Sequence, residues 1–349
     1  MASVASPRGT HRRCAISRAL RLAVADEREA SSGASISIGP AHTIHAHRRH
    51  FGWSPAHRPA WTIAPGDTIE FDVVDSAGGE ITPATTAGEL EKLDKSKFAP
   101  LTGPVFIDGA EPGDAVKITI LDFMPSGWGW SAITTRYGIL PDQFPDPYLK
   151  IWNYDRNCAH PVMYSNLAKV PLKPFPGIIG LTPGAAGVHS ALPPYPTGGN
   201  LDVRDLSAGT VLYLPVEVGG GLLSVGDTHA AQGHGELAGT ALESPMSVAL
   251  KIDLVKDARL RGPQFTTPGP TARHLDAAGY HVTCGVSPDL MEAARNAAMQ
   301  MIDLLGRLHH LSPIDAYLLC SVCGDLAINE LVNRPVHVVS LYFPRLALE

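Results

Sequence analysis

Between Gly226 and Glu243 the chain reads GDTHAAQGHGELAGTALE, and within it Asp227, His229, His234 and Glu236 fall inside ten residues. Carboxylates and imidazoles at this density do acid/base work or bind a borderline cation such as zinc with room left for a water. LLSVGDTH reads as a strand, AAQG as a turn of small residues and HGELAGTAL as a return strand, so the unit is expected to be a hairpin. Strand side chains alternate faces, which places Asp227 and His229 on the side of Leu223 and Val225. His234 and Glu236 repeat the two-residue spacing on the partner strand, and folding over AAQG would bring all four groups within reach of one point. Each also has an ordinary role open to it: Asp227 as a turn former, the histidines as hydrogen-bonded groups, Glu236 as a cross-strand charge partner.

The elements that must position these groups are short strands. A chain of 349 residues with 34 glycines and 30 prolines is punctuated by turns, and 44% hydrophobic against 18% charged residues is a globular composition. A formal net charge of -6 argues against nucleic acid as a partner, which needs a clustered cationic face, and points to a small-molecule substrate. No apolar run is long enough to span a bilayer. The segments APGDTIEFDVVDS and AEPGDAVKITILDF each pair a Pro-Gly-Asp turn with an alternating strand, the mark of an internal duplication. TPATTAGELEKLDKSKF between them is expected as a surface loop near the entrance of the site. Trp128 and Trp130, set between glycines, are candidates for a pocket wall. Gly198 and Gly199 bring backbone close to Asn200 and Asp202, which makes Asp202 a candidate to join the site.

The C-terminal third changes character. SPDLMEAARNAAMQMIDLLGRLHHL carries apolar residues at helical spacing behind a Ser287 cap, with His309 and His310 closing it. SPIDAYLLCSVCGDLAINEL is expected as a second helix and RPVHVVSLYFP as a last strand. Cys320 and Cys323 lie in an apolar run and are expected to pack rather than ligate; the five scattered cysteines make no disulfide framework. Three regions follow: 1–38 as a disordered extension or organelle-targeting segment, 39–255 as a β-rich catalytic region, and 256–349 as an α/β region packed on the same body.

Taken together, PGDTIEFDVVDSAGG, GPVFIDGAEPGDAVKITI, PFPGIIGLTP, the block from GGNLDVRDLS to GTALESP, and AYLLCSVCGDLAINELVNRP resemble the acetamidase/formamidase family of amide hydrolases, in family order from about residue 42 to the C-terminus. The resemblance implies a mainly β fold, a β-sandwich architecture with a C-terminal α/β portion, in a cytoplasmic homo-oligomer that cleaves a small carboxamide such as formamide or acetamide. It also implies a divalent metal near the central motif, zinc first and calcium as the other candidate. Carried over residue by residue, the motif covers Asp227, His229, Gln232 and Glu236 with Asn200 and Asp202. Asp227 and His229, joined by His234, are expected metal ligands, Glu236 and Asp202 catalytic groups, and Gln232 and Asn200 substrate contacts, with Trp128 added to these as a pocket-wall residue. His234 stands where the family usually has aspartate, which changes the charge of the site by one unit. Glu236 is the candidate general base for water attack. There is no Gly-x-Ser-x-Gly elbow to favour a serine nucleophile. Two other readings stay open: the same fold acting on a lactone, ester or larger aryl amide, and a non-catalytic β-sandwich that binds a metal or ligand.

Overall fold

The computed structural model describes residues 42–135, 137–332 and 335–349. The proposed extension 1–38 lies outside the described residues. The architecture is mainly β, two large sheets face to face with a C-terminal α/β portion, as expected. One is six-stranded, in the order His42–Ile44, Thr68–Val73, Met246–Val255, Ala115–Pro125, Val211–Pro215, Gln264–Thr266. The other has ten strands, among them Pro100–Ile107, Trp128–Ile133, Phe175–Gly180 and Leu223–Ala231. Ile69, Phe71, Ile118, Val248 and Leu250 of the first meet Val105, Ile107, Ile179, Leu223 and Val225 of the second in one buried cluster. That is a sandwich core, formed because each sheet must hide an apolar face.

The repeated Pro-Gly-Asp turns do the same job twice. Asp67 Oδ2 accepts from Ala64 N at 2.9 Å and Asp114 Oδ2 accepts from Glu111 N at 2.9 Å. The strands they launch, Thr68–Val73 and Ala115–Pro125, flank Met246–Val255 on either side as antiparallel neighbours.

Behind the ten-stranded sheet lie the helices Leu290–His309 and Pro313–Cys323 and a three-stranded sheet of Tyr280–Ser287, Asp325–Glu330 and His337–Pro344. The long helix is capped by Asp289, whose side chain accepts from Glu292 N, rather than by Ser287, and it ends at His310 in a left-handed conformation. Ser312 caps the second helix through Asp315 N. Cys320 and Cys323 are buried in that helix, and burial pushes both thiols far up, so they pack rather than react. Among the described residues no helix is long and apolar enough to cross a membrane.

Candidate active site

Leu223–Ala231 is a central strand buried along its whole length. Phe175–Gly180 pairs with it on one side, with Phe175 opposite His229, and Pro100–Ile107 and Leu242–Glu243 pair on the other. The expected hairpin is corrected in its second half. The strand runs on through Ala231, residues 232–241 are turns, and only Leu242 and Glu243 return to pair, Glu243 opposite His229. HGELAGTAL is therefore not a strand, because Gly235 and Glu236 both take left-handed backbone angles that an extended ladder cannot hold. The turns rest on the C-terminal helix: Gly233 N donates to Ser321 O at 2.8 Å, and a Cβ on Gly233 would lie 1.9 Å from Gly324 O.

His229 is the centre of the site and is 0% exposed. Its Nδ1 lies 2.9 Å from Gln232 Oε1, while Gln232 Nε2 donates to Asp202 O at 2.8 Å. The second bond fixes which end of the amide faces the ring, so Nδ1 carries the proton and donates. Nε2 then faces Asp227 Oδ1 at 3.0 Å and Glu243 Oε2 at 3.2 Å. A bare ring nitrogen cannot face two carboxylates without repulsion, so a proton or a cation belongs there. Glu243 is held in turn by Ser76 Oγ at 2.8 Å and Ala241 N at 2.9 Å. On the Nδ1 side Asp202 Oδ1 lies 3.9 Å away, and donor atoms of Asp202, His229 and Glu236 lie within 4.8 Å of one another.

These carboxylates compete for few positive charges. Burial, reinforced by neighbouring acids, holds Asp227 and Glu236 well above the usual carboxylate range, and burial pushes Asp202 up to about 6. Burial also acts to raise Glu243, but His229 and its donors override it and bring it down to about 2. For His229 burial opposes the charge, yet Glu243 and Asp227 lift the imidazole well above its ordinary value. The common cause is a buried excess of negative charge that takes up protons or a cation. Asp202 Oδ1 has no hydrogen-bond partner, as expected of a group kept for something else. Gly177 leaves the room: a Cβ there would sit 2.7 Å from both Asp202 Oδ1 and His229 Cε1.

The cluster forms one end of a cavity of about 330 Å³. Asp202, Asp227, Glu236, Glu243 and Asn200 line that end, and Ile81, Leu90, Phe98 and Trp130 are among the apolar residues lining the rest. Asn200 commits Nδ2 to Leu192 O at 2.9 Å and leaves Oδ1 without a partner.

Six of the residues singled out in the sequence thus converge: Asn200, Asp202, Asp227, His229, Gln232 and Glu236. His234 does not join them. Its side chain is 40% exposed, its Nε2 is 3.9 Å from Asp205 Oδ2, and its backbone N donates to Asp325 Oδ1 at 3.1 Å. The turn after Ala231 carries it to the far side of the strand. Gln232 is buried with both ends of its amide engaged by His229 and Asp202, and it is not among the residues that line the cavity. Trp128 packs behind the wall that Trp130 presents to the cavity, as alternation along Trp128–Ile133 does not by itself reveal. Glu243 went unrecognised in the sequence. Its signal was its place inside the LESP end of the central block, but only the register of Leu242–Glu243 against Leu223–Ala231 brings it to His229.

The model of the Acetamidase/Formamidase family matches residues 38–191 and 184–348. The chain is 27% identical over 350 residues to a formamidase of Methylophilus methylotrophus, spanning 82% of this chain and 83% of that one. It is 28% identical over 267 residues to an acetamidase of Mycolicibacterium smegmatis, spanning 59% of this chain and 66% of that one. Among solved structures, an acetamidase from Bacillus halodurans superposes with a TM-score of 0.62 at 30% identity, covering 87% of this chain and 97% of its own. A gamma lactamase from Delftia acidovorans, 24% identical, has the same fold with a TM-score of 0.80, covering 86% of this chain and 90% of its own. With a match that runs almost from end to end of the described residues, the chain belongs to the acetamidase/formamidase family.

Proposed function

We propose that the protein hydrolyses a carboxamide to a carboxylate and ammonia at the cluster around His229. The observation that carries the reading is a fully buried imidazole held between carboxylates at the end of a cavity. Burying that much charge opposes folding and persists where a function uses it. The formamidase and acetamidase relatives support the same reading.

The donor set fits a divalent cation. Asp227, His229 and Glu243 would hold it, with Nε2 of His229 as the nitrogen donor, because Gln232 already claims Nδ1 and fixes the tautomer. One imidazole and two carboxylates suit zinc or a similar borderline ion better than calcium, which takes oxygen donors. Such an ion, when bound, would supply polarisation of the carbonyl and would lower the pKa of water at the site toward neutrality.

The remaining chemistry belongs to the chain. Amide resonance makes the carbonyl carbon a poor electrophile and the nitrogen a poor leaving group until it is protonated. Attack forms a carbon–oxygen bond to water, and the carbon–nitrogen bond then breaks to release ammonia. Glu236, on the cavity wall, is the proton carrier: it takes the proton from the water and returns it to the departing nitrogen. Asp202, with its free Oδ1, shares that work. Asn200 Oδ1 is an acceptor for the substrate amide N–H. Ammonia release from formamide and acetamide, run beside elemental analysis of the purified protein, tests both parts. No ammonia from any amide ends the amidase reading, and full activity in a metal-free, chelator-treated protein ends the metal part alone.

A further inference from the structure

Resting on the amidase reading, we infer that the preferred substrate carries a bulky apolar acyl group, of hexanoyl or phenylacetyl size, and that formamide and acetamide are poor substrates. The cavity of about 330 Å³ is at the size that accepts drug-like molecules. Acetamide has four heavy atoms and, at roughly 30 Å³ for each, the share of a water in the liquid, needs on the order of 100 Å³. The remainder has a defined chemistry. Ile81, Leu90, Trp130 and Ala132 form a hydrophobic cluster of their own, with Phe98 packed against it, and all five line the cavity.

That wall is built, not incidental. Leu90 is carried by the short helical segment Ala87–Lys92, where Glu89 Oε2 accepts from Thr86 N at 2.7 Å and from Thr86 Oγ1 at 2.8 Å. The next turn is capped by Asp94 through Ser96 N, Lys97 ties it to Glu80 at 2.7 Å, and Ala99 N donates to Ser76 O at 2.7 Å. Ser76 is the residue that holds Glu243, so the apolar wall and the charged end are fixed to each other. With acetamide bound, water would be left against these apolar side chains; an apolar acyl chain fills the same volume and leaves the amide at the carboxylates.

The experiment compares kcat/KM for ammonia release from formamide, acetamide, butanamide, hexanamide and phenylacetamide. The expected result is a rise of roughly fourfold per methylene buried, on the order of 10² between acetamide and hexanamide, which corresponds to about 0.8 kcal/mol per methylene. Leu90→Gln and Ala132→Leu, one making the wall polar and the other filling it, should each lower the ratio of phenylacetamide to acetamide at least tenfold. If formamide or acetamide is cleaved as well as the larger amides, or if the ratio is unchanged in either folded variant, the inference is overturned while the amidase reading stands. If no amide releases ammonia, both fall together.

Discussion

Gln232 holds His229 by its carbonyl end, Oε1 lying 2.9 Å from Nδ1, and is itself held at the other end by the backbone of Asp202. The pair sets the proton on Nδ1 and leaves Nε2 to Asp227 and Glu243. Gln232→Leu keeps the volume and removes the clamp. It should lower kcat/KM and metal content or affinity by 10- to 100-fold, the usual loss when an outer partner of a ligating histidine is removed. Unchanged metal affinity and activity in a folded variant would refute the role.

Glu236→Gln keeps the shape of the acid and removes its ability to carry a proton. Its kcat should fall by about 10²- to 10⁴-fold with little change in metal content. Glu243→Gln should differ by losing metal as well, because Glu243 touches His229 Nε2 directly. Steady-state kinetics beside elemental analysis separates the two.

Gly177→Ala adds one methyl group where there is no space, 2.7 Å from Asp202 Oδ1 and 2.7 Å from His229 Cε1. The variant should lose most activity and about 1–3 kcal/mol of stability, measurable by denaturant unfolding. An active Gly177→Ala protein would mean that the Asp202 carboxylate is not needed where it stands.

His234→Asp puts a carboxylate where the family resemblance leads one to expect it, but at a position whose ring faces Asp205 rather than the cluster. The expected change in kcat/KM is less than threefold on acetamide and on larger amides, since no reacting group is within its reach. A change in metal preference would place His234 in the site after all.

Two half-buried histidines outside the cluster should each weaken the fold on mild acidification, against the opposite pull of the acids Asp75, Asp202, Asp227 and Glu236, whose carboxyls burial raises. Burial holds His50 down to about 4, and burial together with Arg204 and Lys173 holds His274 down to about 4, against an ordinary value of 6.5. Between those values each of these two histidines binds a proton in the unfolded chain and not in the folded one. The contribution is therefore complete above pH 6.5 and is lost as pH falls toward 4, with a limiting slope of about two protons. The difference in unfolding free energy between the wild type and His50→Gln, measured from pH 7.5 to 4, should change with a limiting slope of about one proton, the wild type losing more as pH falls.

Much of this was legible in the sequence. Asp227 and His229 announced themselves because a two-residue spacing on a strand is local, and the Pro-Gly-Asp turns because the aspartate, the glycine and the following strand all lie within a few positions. The helices from Leu290 and Pro313 followed from spacing and caps, with the first cap displaced to Asp289 and the second helix ending at Cys323, so that Asp325–Glu330, expected as helix, is a strand. What stayed hidden depended on backbone that leaves the regular regions. Left-handed angles at Gly235 and Glu236 replace the return strand with turns, which sends His234 outward and Glu236 inward from nearly adjacent positions. Glu243 depended on register, and the apolar wall depended on Leu90, one inward side chain in a segment whose sequence is that of a solvated loop.

The contact of Gly233 with Gly324 has a bearing on how this protein can be altered. Two residues without side chains are stacked backbone to backbone, so the turn that carries Gln232 has a seat cut into the end of the Pro313–Cys323 helix. The seat is shared property of two distant stretches of chain. A segment swap that transplants 226–243 into a relative must carry 312–326 with it, because a donor turn landing on a foreign helix end would tilt the imidazole even with every polar residue of the site in place.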